Sequence, residues 1–135
     1  MIVLDASAAV ELLKKTDRGE QVAQRIFAPG ETLHAPHLLD LEVAQVLRRH
    51  VAQRYLSAEQ GQGALDYWSA MSIERHPHDP YLARIWDLRH AFTAYDAAYV
   101  SLAEALEATL LTCDRKMLAA GHEARIELVA HAAQA

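Results

Sequence analysis

The sequence predicts an α/β domain in which a mostly parallel β-sheet is covered by helices on both faces. Three observations carry this. Short apolar runs alternate with amphipathic helical stretches along the whole chain, the pattern of strands buried on both sides. Two of these runs, "IVLD" near the start and "LLTCD" more than a hundred residues later, stop on an aspartate. No linker, repeat or low-complexity segment interrupts the alternation, so residues 1–135 read as a single domain.

Each element follows from local chemistry. Ile2 to Leu4 form a β-branched and aliphatic run expected to be a buried strand. "SAAVELLKK" follows with Ala8, Leu12 and Lys15 at helical spacing and Ser7 as the expected N-cap. "DRGEQVAQRIFAPG" predicts a second helix closed by Pro29 and Gly30. "TLHAP" is a short strand stopped by Pro36. A long helix is expected from about His37 to Tyr55, with Leu39, Val43, Val46, Leu47 and His50 on one face. "SAEQ" at Ser57 is a capping box opening a helix that runs to about Met71. "SIERHP" is a candidate third strand, and helices are expected over Tyr81–Ala91 and Tyr95–Glu107. "ATLLTCD" is a strand, "RKMLAAG" a turn of helix, and "IELVA" the last strand.

Composition narrows the function classes. Hydrophobic residues make up 52% and charged residues 23%, the balance of a globular protein with a real core. No apolar run approaches the roughly 20 residues of a membrane span, and the N-terminus lacks the basic region of a signal peptide. Cys113 is a single cysteine, which excludes an intramolecular disulfide and fits a reducing cytoplasm. The expected location is cytoplasmic. A net charge of −5 argues against a nucleic-acid partner unless the acids gather around cations.

Asp5 and Asp114 stand at the carboxyl ends of predicted strands, where parallel sheets bind ligands. Each also reads as a helix cap, and Asp96, three residues after Thr93, reads as part of a capping box. Glu42 is harder to explain as surface chemistry. It lies at the edge of an apolar helical face, three residues after Leu39 and four before Val46, where a carboxylate needs a counter-charge or a cation. Asp40 falls on the opposite, solvated edge, and Arg49, one heptad along, is a candidate ion-pair partner for a neighbouring acid. If the four acids converge, their repulsion demands divalent cations. Hard oxygen donors point to Mg²⁺ or Mn²⁺ rather than zinc.

Taken together, "IVLDAS", "LLDLEVAQVLRR", "YDAAYVSLAEAL" and "LLTCDRKM" resemble a PIN-domain ribonuclease of the VapC toxin type, from Met1 to about Ala130. The resemblance implies a PIN-like three-layer α/β/α sandwich with a mostly parallel sheet of about five strands. It implies catalytic and metal-binding roles for Asp5, Glu42, Asp96 and Asp114, with Ser7 and Thr112 as supporting hydroxyls. Some family members carry a further acid after the fourth carboxylate; "RKML" offers none. The implied activity is Mg²⁺- or Mn²⁺-dependent cleavage of RNA by water. The implied partners are a VapB-type antitoxin that blocks the site and a second copy in a homodimer. Neutralising the four acids removes most of the excess negative charge, leaving Arg48, Arg49, Arg115 and Lys116 as candidate phosphate contacts.

The remaining signals are weaker. "HPHD" at His76 has no matching ligand pair nearby in sequence and reads as surface histidine. Trp68 and Trp86 read as core, and Cys113 as an inert buried thiol within a strand. A haloacid-dehalogenase-type phosphatase needs a second acid where this chain has Ser7. A metal-free ribonuclease needs paired histidines, and no spacing brings two together. The rival from another class is a non-catalytic PIN-like module that binds RNA or antitoxin without cutting.

Overall fold

The structure is a computed structural model that describes residues 1–131; the last four residues of the expected domain lie outside them. The strands are β1 (Ile2–Leu4), β2 (Leu33–Pro36), β3 (Ile73–His76), β4 (Thr109–Thr112) and β5 (Arg125–Leu128). The helices are α1 (Ala6–Lys14), α2 (Asp17–Ile26), α3 (Leu38–Ala52), α4 (Ala58–Ala70), α5 (Leu82–Asp87) and α6 (Ala94–Leu106). Single 3₁₀ turns cover Asp79–Tyr81 and Arg115–Leu118.

All five strands run parallel, in the order β3-β2-β1-β4-β5. Right-handed crossovers explain the layers. The chain moves outward from β1 to β3 through α1–α4, then returns past β1 to β4 through α5 and α6, so the crossover changes face. α1 to α4 pack on one another, while α6 crosses β1, β2 and β4 with α5 beside it. This is the expected α/β/α sandwich. The strand order reverses between β1 and β4, and the crevice beyond that switch point is where such sheets take ligands.

The core sits at the same place. Ile2, Val3 and Leu4 are fully buried, as are Leu110 and Leu111. In α6 every residue from Ala97 to Ala103 is buried, so this helix fills the space above the central strands. Trp68 is buried as expected, but Trp86 is 67% exposed. The helix expected over Tyr81–Ala91 holds only Leu82–Asp87, and such a short element leaves the indole outside with the Arg89 guanidinium 4.7 Å above its ring.

Three further expectations are corrected. Asp5, not Ser7, caps α1: its side chain accepts the Ala8 N–H at 3.0 Å, and Ser7 lies inside the first turn. The third helix stops at Ala52 because Arg54 turns the chain into the left-handed region at φ 63°, and the Tyr55 N–H bonds back to the His50 carbonyl. Cys113 is half-buried just beyond β4 rather than within it, with burial pushing its thiol up to about 11.

Candidate active site

Asp5 follows β1 directly and Asp114 lies two residues past β4. The adjacency of these strands brings the two carboxylates to the switch point. Asp5 is 5% exposed, and three donors hold it. The Ser7 hydroxyl and the Ala8 N–H donate to Oδ1 at 2.7 and 3.0 Å, and the Thr112 hydroxyl donates to Oδ2 at 2.5 Å. Thr112 Oγ1 also accepts the Asp114 N–H at 3.0 Å and lies 3.2 Å from Ser7 Oγ. Ser7 Oγ in turn accepts the Cys113 N–H at 2.9 Å. Two hydroxyls thus lock two strand ends together.

Despite these donors, burial pushes the Asp5 carboxyl above the ordinary aspartate value, and the Asp114 charge adds to the shift. Glu42 behaves alike. Burial raises its carboxyl, the charges of Asp96 and Asp5 add to this, and the Tyr99 hydroxyl partly offsets it by donating to Oε1 at 2.5 Å. The structure therefore brings Asp5, Glu42, Asp96 and Asp114 into one electrostatically coupled group. Asp5 caps α1 and Asp114 caps the following turn, its Oδ1 accepting the Lys116 N–H at 3.1 Å. Both aspartates thus act as caps while lying beside the other acids.

Lys116 lies inside this group. Its Nζ stands 3.5 Å from Asp96 Oδ2 and 3.3 Å from Asp114 Oδ2. Asp96 foremost, with Asp114, raises its pKa and keeps it charged. Arg115 is exposed and lines an adjoining cleft of about 730 Å³ with Ser7, Arg18, Cys113 and Asp114. Arg48 and Arg49 are exposed six and seven residues beyond Glu42 on α3, roughly 9–10 Å along the helix. Arg48 bonds Gln45 at 3.0 Å, and Arg49 forms no ion pair among the described residues. The expected solvated Asp40 is instead gripped by Arg75, at 2.7 and 3.1 Å, and by the Trp68 Nε1–H at 2.8 Å.

Two contributors are not legible as site residues in the sequence. Tyr99 reads as a core aromatic, although its place three residues after Asp96 on α6 puts both on one helical face. Arg18 donates to the Cys113 carbonyl at 3.2 Å and to Glu11 at 3.0 Å, a contact that no local pattern signals.

The donors suit a hard cation. They are carboxylate and hydroxyl oxygens, with neither histidine nor thiolate among the four acids. Among the described residues no three of these acids bring oxygens within 4.8 Å of one another.

Comparison with known proteins follows the same lines. Residues 2–123 match the PIN domain family. Ribonuclease VapC12 of Mycobacterium tuberculosis is 44% identical over 131 residues, covering 96% of this chain and 100% of the relative. Ribonuclease VapC1 of the same organism is 42% identical over 129 residues, covering 94% and 96%. The fold is similar to a chain in the crystal structure of VapBC2 from Rickettsia felis bound to a DNA fragment from their promoter. That match has a TM-score of 0.64 and 20% identity, and covers 87% of this chain and 92% of the other.

Proposed function

The chain belongs to the PIN-domain family as a VapC-type member, and we propose on that premise that it is an endoribonuclease toxin hydrolysing RNA with Mg²⁺ or Mn²⁺ and restrained by a VapB-type antitoxin. The observation that carries this reading is the coupling of four carboxylates from two strand ends and two helices at the switch point of the sheet. So much negative charge in a half-buried group stabilises nothing by itself; it suits a cation and a phosphodiester.

Asp5, Glu42, Asp96 and Asp114 surround the ion in this reading, one or two of them binding it directly and the others through its water ligands. When bound, the ion supplies Lewis-acid polarisation of the phosphate and acidifies water toward neutral pH. The chain's own residues set the stage for that chemistry. Ser7 and Thr112 occupy both oxygens of Asp5 and fix its plane. Tyr99 takes Oε1 of Glu42, leaving Oε2 for the site. Lys116 spaces Asp96 from Asp114 and, once the acids are neutralised, meets a phosphate together with Arg115.

The antitoxin reading rests on the likeness to a VapBC assembly and on the surface beside the acids. Leu41 and Tyr95 directly precede Glu42 and Asp96 and are 75% and 67% exposed. An amphipathic segment laid over them is in reach of the acids with an arginine or lysine. The working form in this reading is a cytoplasmic homodimer, which light scattering tests.

Cleavage of end-labelled RNA by untagged protein decides the main question. Activity stops in excess chelator and returns with Mg²⁺ or Mn²⁺; undiminished cleavage in chelator overturns the reading. Metal-supported RNA binding with no cut product favours the non-catalytic module. Lys116→Gln lowers the salt slope of RNA affinity by about 0.7 if that ammonium meets one phosphate of a single strand.

A further inference from the structure

The sheet edge carries a second group of titratable side chains, separate from the acids. β3 is the outer strand, paired in parallel with β2 so that His34 stands opposite Glu74 and Pro36 opposite His76. Alternate residues of a strand share a face, so Glu74 and His76 project on the side of His34. Arg75, between them, projects the other way to reach Asp40 on α3. The sheet thereby delivers two imidazoles and a carboxylate to one spot. This corrects the expectation that the "HPHD" histidines lack a matching ligand and that no histidine pair converges.

The spacing is informative. His34 Nδ1 lies 3.0 Å from His76 Nε2 and 3.5 Å from Glu74 Oε2, and one ligand atom from each of the three residues lies within 4.8 Å of the others. Ligand atoms ~2.0–2.1 Å from a tetrahedral ion stand ~3.3–3.4 Å apart, so the two measured separations bracket that edge. The outer nitrogen of His34, Nε2, lies 3.0 Å from Thr32 Oγ1. A hydrogen bond on the far nitrogen is how ligating histidines are held in orientation with the inner nitrogen free. His34 is 5% exposed while Glu74 is exposed, so the group has a fixed, buried side and an open, wet side.

A hydrogen bond between the two imidazoles satisfies His34 without any ion, and strand register places Glu74 opposite it, but the same register brings all three groups to ligand spacing with one side open to solvent. We propose that His34 Nδ1, His76 Nε2 and a carboxylate oxygen of Glu74 form a binding site for one Zn²⁺-class dication, with water as the fourth ligand. Two imidazoles and one carboxylate form a recognised zinc donor set, and imidazole favours zinc, cobalt or nickel over magnesium. The site is thus chemically orthogonal to the acid group. It also abuts the segment that begins α3: the His37 N–H bonds the His76 carbonyl at 3.0 Å, and the Leu38 N–H bonds His78 Nε2 at 3.1 Å. An ion clamping β2 to β3 braces the base of the helix that carries Glu42.

The test uses untagged full-length protein stripped of metal and titrated with Co²⁺ alone, followed by its visible d–d absorption. One equivalent binds with the intense band of a tetrahedral site, Zn²⁺ bleaches it, and excess Mg²⁺ does not. Outer-shell partners alone are worth about 10–100-fold in metal affinity, so His76→Ala and Glu74→Ala each weaken binding by at least about tenfold, while Asp114→Asn leaves it unchanged. Glu74 is exposed and His76 only partly buried, so their variants keep the fold where His34→Ala, at a buried site, risks losing it. Absence of the tetrahedral band, or a band that survives both His76→Ala and Glu74→Ala, overturns the proposal.

Discussion

Thr112 Oγ1 donates to Asp5 Oδ2 at 2.5 Å across a sequence separation of 107 residues, while the same oxygen accepts the Asp114 N–H. One hydroxyl therefore positions an acid on each of two strands. Thr112→Val keeps the shape and removes both bonds, leaving a buried carboxylate oxygen and a backbone N–H short of partners. Hydrogen bonds to charged groups contribute about 1.5–3 kcal/mol, so in chelator the valine variant is less stable by an amount in that range, seen as a lower urea midpoint, and cleavage falls at least tenfold. Thr112→Ser retains most of both. Equal urea midpoints for valine and serine would show that the hydroxyl matters little.

Asp5→Asn, Asp96→Asn and Asp114→Asn each remove one charge from a crowded group at nearly constant volume. Asparagine caps about as well as aspartate, so the caps at Asp5 and Asp114 survive. Each variant loses about 99% of cleavage yet remains, in chelator, as stable as the parent or slightly more so. Normal cleavage by Asp5→Asn and Asp114→Asn would reduce these residues to caps. Asp40→Asn behaves oppositely. It keeps cleavage but weakens the Arg75 and Trp68 contacts, a loss of up to about 1 kcal/mol given its partial exposure.

The Glu104 carboxyl lies below its ordinary value of 4.5, chiefly because Arg84 donates to both oxygens at 2.8 Å, with partial burial opposing and the Glu123 N–H assisting. The unfolded chain binds the proton more tightly, so stability rises with pH through this window. The contribution is complete above pH 4.5 and fades as pH falls through the lower folded value. Urea melts of the parent and Glu104→Gln separate at neutral pH and converge as pH falls through the lowered folded value. A gap that widens in acid contradicts the assignment.

Gly19 sits where α2 passes over α1: an added Cβ meets the Glu11 carbonyl oxygen at 2.0 Å, and backbone cannot swing aside. Gly19→Ala destabilises the protein by about 3 kcal/mol. Gly63, inside α4, has nothing within 4 Å of the same position, so Gly63→Ala stabilises by about 0.5–1 kcal/mol. Chemical melts of both variants check the opposite signs.

The layered fold and the two strand-end aspartates are legible in the sequence because they depend on local signals: buried runs of strand length, and carboxylates where such runs stop. Glu42 and Asp96 lie on helices, and only the family resemblance groups them with the other two. Asp5 and Asp114 needed no knowledge of contacts. Ser7 misleads as a cap because the sequence shows a good capping residue without showing which residue turns the chain. Lys116 reads as a phosphate contact from its charge, while its place between Asp96 and Asp114 depends on a 3₁₀ turn docking toward α6. His34, Glu74 and His76 are illegible because they meet through the register of two parallel strands 40 residues apart, which no local pattern encodes. Trp86 fails for a simpler reason: one and a half turns of helix bury too little to fix an inside and an outside.

The pairing of β1 with β4 sets an order of events during synthesis. Residues 2–4 are made more than a hundred residues before residues 109–112, the neighbour that completes their side of the sheet. Closing so long a loop is entropically costly and slow, and only contacts made after closure repay it. A growing chain thus carries Asp5 through more than a hundred residues of synthesis without Thr112 to orient it or Asp114 to accompany it. On the proposed function, the acid site is completed only once residues 109–114 have been made, and a fragment ending before Thr109 should show no cleavage of RNA.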